Sequence, residues 1–222
     1  DYIDARDDEV IVNFSLLYAY APLLKEEEKK YENFSKSIRR RAAIIGGHNM
    51  DDYPLKMHVF NRARLIKNSK NRIPYGVDLI QKYKRESWIV FTENKKQAKE
   101  FNKIINTKGF KSALYNTDLD SAERLENLNK FKNADLNVLV TCTALDEGFD
   151  MPEADGALIL SASSSKRQRV QRMGRVLRIT ENKPNALIVT VYSSKTEFDK
   201  LMEEAKRYHK EGVPVSWKRQ DR

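Results

Sequence analysis

The chain has 222 residues, with 41 lysines and arginines against 32 acids, a formal charge of +9, and 33 % of its residues charged. It holds no apolar run near the ~20 residues of a membrane span, which excludes a helical membrane protein. The length suits one large domain or one compact domain with an extension. A basic surface favours polyanions, nucleic acid first, although a lysine-rich composition alone produces the same charge.

The opening DYIDARDDEV has neither the basic head nor the apolar core of a signal peptide. It also lacks an initiator methionine, as expected of a piece of something longer. From residue 23 to about 84 the pattern is helical and highly charged. LLKEEEKKYENFSKSIRRRAAII (23–45) places acids first and bases last, in keeping with the helix dipole. Leu24, Tyr31, Phe34 and Ile38 recur at spacings of seven, three and four, one apolar face. The triplet Arg39, Arg40, Arg41 reads as a solvated helix end. GGHNMDDYP (46–54) interrupts the pattern, and a second helical stretch, 55–72, is expected to end before Ile73-Pro74.

Beyond residue 86 short apolar runs alternate with amphipathic segments. WIVFT (88–92) predicts a strand and 95–109 a helix closed by Gly109. KSALY (111–115) is a second strand, followed by a helix over 120–133 starting at an Asp or Ser cap. NVLVT (137–141), GALIL (156–160) and ALIVTVY (186–192) complete five strands, with helices expected over 166–178 and 195–212. Such alternation forms right-handed crossovers, hence a mainly parallel sheet with helices on both faces. Ligands bind such sheets at the carboxyl ends of the strands, here residues 92–94, 115–118, 141–150 and 161–165.

Cys142, the single cysteine, excludes an internal disulfide, suits a reducing compartment and reads as a packed strand residue. His48, His58 and His209 lie apart from one another and from carboxylate or thiol partners, so no metal site is expected. A cytoplasmic or nucleoid-associated protein follows from these features. A nucleotide-hydrolysing α/β protein needs a glycine loop ending in Gly-Lys-Ser/Thr, and the chain has none. In GFKS (109–112) a phenylalanine separates glycine from lysine, and Asp146-Glu147 stands several residues past its strand. The chain by itself therefore lacks a standard phosphoryl-transfer site.

Two stretches carry a family resemblance. NVLVTCTALDEGFDMPEAD (137–155), followed by QRVQRMGRVLR (168–178), resembles motifs V and VI of superfamily 2 helicases and translocases. SWIVFTENKKQAKEF (87–101) resembles motif IV, and ALYNTDLDSAERLENLNKFKN (113–133) the segment between IV and V. YAYAPLLKEEEKKYENFSKSI (18–38) and RARLIKNSKNR (62–72) resemble, less specifically, the helical connector between the motor lobes of the DNA-repair helicase group. The resemblance implies a RecA-like second lobe over 86–222, with a C-terminal helix and tail, preceded by an extended and helical connector region over 1–85.

It further implies that Arg175 and Arg178 act as catalytic arginine fingers on ATP held with Mg2+ mainly by a first RecA-like lobe, absent here. That lobe would lie in the same parent chain or in a separate subunit. Gln171 and Gly174 complete the motif VI pattern Gln-x-x-Gly-Arg-x-x-Arg. Gly148 would let the motif V loop approach the cleft, and Asp150 would bind the nucleotide sugar or orient the arginines. Thr92, Asn94, Thr141 and Thr143 would donate to nucleic-acid phosphates, DNA being favoured over RNA. YNTDLD departs from the His-Gly or His-Ser pair of many relatives, so no contact is assigned to Asn116 or Thr117. Trp217 either stacks a base or packs on its own domain. A non-enzymatic scaffold or regulatory nucleic-acid-binding module is the alternative reading of the whole chain.

Overall fold

A computed structural model of the chain describes residues 13–47, 49–142, 154–161 and 185–220. Seven parallel strands form one sheet in the order β3-β4-β2-β5-β6-β1-β7. They are β1 (Phe14–Tyr20), β2 (Trp88–Thr92), β3 (Ser112–Tyr115), β4 (Val138–Cys142), β5 (Gly156–Ile159), β6 (Ala186–Tyr192) and β7 (Val215–Arg219). Strands β2, β4, β5 and β6 are buried at every residue. That burial explains their unbroken apolar character, because helices cover both faces of a parallel sheet.

Among the described residues six helices accompany them: α1 (Lys25–Ile44), α2 (Tyr53–Lys67), α3 (Arg72–Lys82), α4 (Lys95–Thr107), α5 (Ser121–Lys132) and α6 (Lys195–Lys210). One face of the sheet packs on Ile73, Val77 and Ile80 of α3 and on Ala98, Phe101 and Ile105 of α4. The other packs on Leu128 and Phe131 of α5 and on Leu201, Ala205 and Tyr208 of α6. Short polar residues stop the chain and start the helices: Asn94, Asp120 and Ser194 each accept the backbone N–H three residues on. Packing leaves no room at Gly156, where a Cβ would lie 2.6 Å from the Trp88 indole.

The expected parallel sheet is present, with three differences in its details. Residues 14–20, which the sequence reads as part of the connector region, form an interior strand between β6 and β7, in register from Phe14↔Ala186 to Tyr20↔Tyr192. The tail 215–219 is the edge strand beyond it. A division at residue 85 thus runs through one sheet, because both pairing partners of β1 lie near the far end of the chain. The third difference is α3, which begins where a helix was expected to stop. Pro74 is its third residue, in the first turn, where the missing N–H has no intrahelical acceptor to lose.

The hairpin α1–α2 is tied at its tip and at its base. At the tip Arg41 forms a fork with Asp52 (2.6 and 2.9 Å), and Asp52 also caps α2 through the Leu55 N–H, so this arginine is a structural partner. At the base Glu27 accepts from the N–H of Leu24 and of Lys70, both at 3.0 Å, and the Asn71 amide donates to Pro22 O at 2.7 Å.

Candidate functional site

The carboxyl ends of β2, β3, β4 and β5 lie side by side because the sheet is parallel. Thr92 and Thr141 meet there, and both are spent on the sheet itself. The Thr92 hydroxyl is 1 % exposed and is shared between Thr141 O (3.0 Å) and Asn94 O (3.2 Å). Thr141 is fully buried, and its hydroxyl donates to Cys142 O. Asn94 caps α4 by accepting from the Gln97 N–H and donates its amide to Asn68 Oδ1 at 2.7 Å. Their side chains brace the strand ends and the β2–α4 turn. Thr143, Gly148, Asp150, Gln171, Gly174, Arg175 and Arg178, and the helix expected over 166–178, lie outside the described residues.

Charge collects around this rim. Lys67 pairs with Glu93 at 2.7 Å, and Gln97 bridges Lys67 O to the Glu93 N–H, which ties the end of α2 to the turn after β2. Lys95 and Lys99 on α4 both pair with Asp118, just past β3. Hydrogen bonds from Lys95 and then Lys99 hold the Asp118 carboxyl below its usual range. Between β3 and Asp118 sits Asn116, 3 % exposed, whose Oδ1 accepts the Asp118 N–H at 2.9 Å.

Beneath the ends of β5 and β6 lies a residue that sequence reasoning missed. Arg72, at the first position of α3, is completely buried. Its Nη2 reaches both carboxylate oxygens of Glu197 at 2.7 Å, and its Nη1 donates to Leu160 O and Val191 O, also at 2.7 Å. Nε is shared between Ile66 O and Ser69 Oγ. Glu197 in turn accepts the Ser193 N–H at 2.8 Å. A guanidinium offers five donors in a fixed fork, and every nitrogen of this one is engaged. It joins the α2–α3 link to α6 and to the exit of β5, from which the chain runs into 162–184. The signal was faint: an arginine just before Ile-Pro in a charged stretch.

Trp217 packs on its own domain against Tyr18 (4.7 Å between ring centroids), Phe198 (5.0 Å) and Tyr192 (5.9 Å). It remains 38 % exposed beside a cavity of about 420 Å³. Cys142 is buried. Among the described residues no group of three or more His, Cys, Asp or Glu converges as a metal site. No described helix is long and apolar enough to cross a membrane.

An all-parallel sheet layered by helices, with its polar rim at the strand ends, defines an α/β lobe of the RecA-like class. Residues 71–180 match the helicase conserved C-terminal domain family, a span that contains both the described rim and the motif residues outside it. The chain is a C-terminal lobe of the superfamily 2 helicase type. It is 29 % identical over 202 residues to the DNA 3'-5' translocase XPB2 of Sulfurisphaera tokodaii, covering 84 % of this chain and 44 % of that protein. It is 30 % identical over 125 residues to UvrABC system protein B of Fusobacterium nucleatum, covering 53 % of this chain and 19 % of that one. The chain thus spans less than half the length of these relatives. The C-terminal domain of the DEAD-box protein Dbp5 shares the fold, with a TM-score of 0.59 at 19 % identity over 68 % of this chain and 85 % of that one.

Proposed function

We propose that this chain is the second motor lobe of an ATP-dependent superfamily 2 helicase or translocase. ATP with Mg2+ sits mainly on a first RecA-like lobe, in the same parent chain or in a partner subunit, and Arg175 and Arg178 enter from this one. A guanidinium stays charged and holds its donors in a rigid plane. It therefore meets the charge that spreads over the γ-phosphoryl oxygens with little reorganisation, an effect worth roughly 10³–10⁵ in rate in related nucleotidases. Gln171 and Gly174 complete the motif that carries the two arginines. Gly148 brings the motif V loop to the cleft, and Asp150 holds the nucleotide sugar or aligns the arginines.

The observation that carries this reading is the family match through 71–180, which takes in QRMGRVLR with Gln171, Gly174, Arg175 and Arg178 at motif spacing. A purely scaffolding lobe has no use for that spacing. The track is DNA in this reading. The similarity to an archaeal DNA translocase covers 84 % of the chain, too much to fit within 86–222, so it takes in connector residues as well. The complete motor with Arg178→Ala should bind nucleic acid almost as the parent does and lose ATP turnover. Unchanged turnover would sink the assignment.

A further inference from the structure

We propose that the outer edge of β7, with the cavity beside Trp217, binds an extended peptide of a partner protein, one that brings a large apolar side chain flanked by acidic residues. The sheet has two edges, β3 and β7, and they are finished differently. On β3 the outward-pointing backbone groups are met by side chains. Asn106 Oδ1 accepts the Ser112 N–H at 3.2 Å and the Asn106 amide donates to Ser112 O at 3.3 Å, while the Asn127 amide donates to Leu114 O at 3.1 Å. That blunts the β3 edge against a further strand. On β7 the Leu16 N–H donates to Pro214 O and the Gln220 N–H to Tyr20 O, which turns the even-numbered residues toward β1. The N–H and C=O groups of Val215, Trp217 and Arg219 therefore point outward, and among the described residues no side chain meets them.

A row of unpaired backbone groups selects an extended chain, which answers each N–H with a C=O and each C=O with an N–H. The side chains beside the row narrow the choice. The cavity of about 420 Å³ at Trp217 is walled by Tyr192, Phe198 and Met202 and bordered by Lys218 and Arg219. A cavity of roughly 150 Å³ already holds benzene, so this one has room for an aromatic or long aliphatic side chain. Trp217 stands partly exposed at its wall, whereas Trp88 is fully buried. A rigid, half-covered indole of this kind is a favoured anchor for a protein partner. β7 carries Lys218 and Arg219 and no acid. The Arg219 guanidinium lies 5.8 Å from the centre of the Tyr20 ring and makes no ion pair among the described residues. Acidic residues next to the apolar one complement that charge. A nucleobase could stack on Trp217 but would leave the outward row unanswered, which favours a peptide.

The test selects random peptides displayed on phage against the full chain, then titrates the enriched sequence, as a fluorescein-labelled peptide, by anisotropy. The selected sequences should share an aromatic, leucine or methionine residue with Asp or Glu beside it. Val215→Pro removes one outward N–H and leaves the bonds to β1 in place, since an edge strand accepts proline where the N–H faces solvent. It should weaken binding about tenfold. Trp217→Ala should weaken it about thirtyfold, and Arg219→Glu should weaken it most at low salt. Amide hydrogen exchange adds a readout that needs no variant: the Trp217 and Arg219 N–H groups should exchange rapidly in the free chain and slowly in the complex. A complex in which those amides stay unprotected overturns the proposal, as does Val215→Pro with parental affinity and an unchanged circular dichroism spectrum. A selection that yields no peptide tighter than about 100 μM overturns it as well. A dimer in sedimentation that Val215→Pro abolishes would place a second copy of the chain on this edge, and protection of the same amides by a single-stranded DNA oligonucleotide would place nucleic acid there; either result replaces the peptide.

Discussion

Replacing Arg72 by methionine removes a completely buried cation from a carboxylate whose side chain is only 7 % exposed. Losing one member of a buried ion pair costs about 3–5 kcal/mol, because the remaining charge keeps its desolvation penalty without its partner. Leu160 O and Val191 O lose a donor as well, at about 1 kcal/mol or more each. Glu197 keeps the Ser193 N–H and the Ser194 hydroxyl, which places the total at the lower end of the combined range, about 5 kcal/mol. For a chain of this length about 1 kcal/mol moves the midpoint by roughly 2–4 °C, so Arg72→Met should melt about 10–20 °C below the parent. Arg72→Met combined with Glu197→Met should regain most of the loss, to within about 2 kcal/mol, since two apolar side chains leave no buried charge. Arg72→Lys keeps the charge but not the fork and should fall between. Thermal and urea unfolding followed by circular dichroism would measure all three. A single variant within about 1 kcal/mol of the parent, or a double variant no better than the single one, would refute the reasoning.

Gly156→Ala pushes a methyl group to 2.6 Å from the Trp88 indole, and overpacking of this kind costs about 1–3 kcal/mol. A midpoint equal to the parent's would contradict that packing. The Asp52 carboxyl is held down at about 2 by its fork to Arg41 and by the Leu55 N–H. A depressed carboxyl stabilises the folded hairpin fully above its unfolded value near 3.9, and that contribution disappears as pH falls through about 2. Carboxyl titration by NMR should place Asp52 well below the usual carboxylate range in the parent and closer to it in Arg41→Ala, where only the Leu55 N–H still holds it down. A normal value in the parent would remove the fork from the account of the hairpin.

Much of the fold was legible because its signals are local. Strands β2 and β6 coincide with their predicted spans, and α4, α5 and α6 begin at Asn94, Asp120 and Ser194, short polar residues placed where a helix must satisfy its first N–H groups. Part of the family match was legible for another reason. The motif over 171–178 is contiguous in the chain, so its spacing can be read without any knowledge of the fold. The donors were harder to read. Thr92, Thr141 and Asn116 are all small polar residues at strand ends, and nothing in their own neighbourhoods separates a hydroxyl spent on a carbonyl from an amide left without one.

Periodicity, caps and motif spacing thus determined a parallel α/β lobe with a polar rim, since each rests on residues within a few turns of one another. Tertiary structure alone decided that residues 14–20 enter the sheet one strand in from its edge, and that Arg72, in a stretch that reads as helical and highly charged, is a completely buried cation. Its partner Glu197 stands 125 positions away. Burial of a charge or of an isolated strand is settled by partners distant in sequence, and their arrival depends on how every intervening element packs.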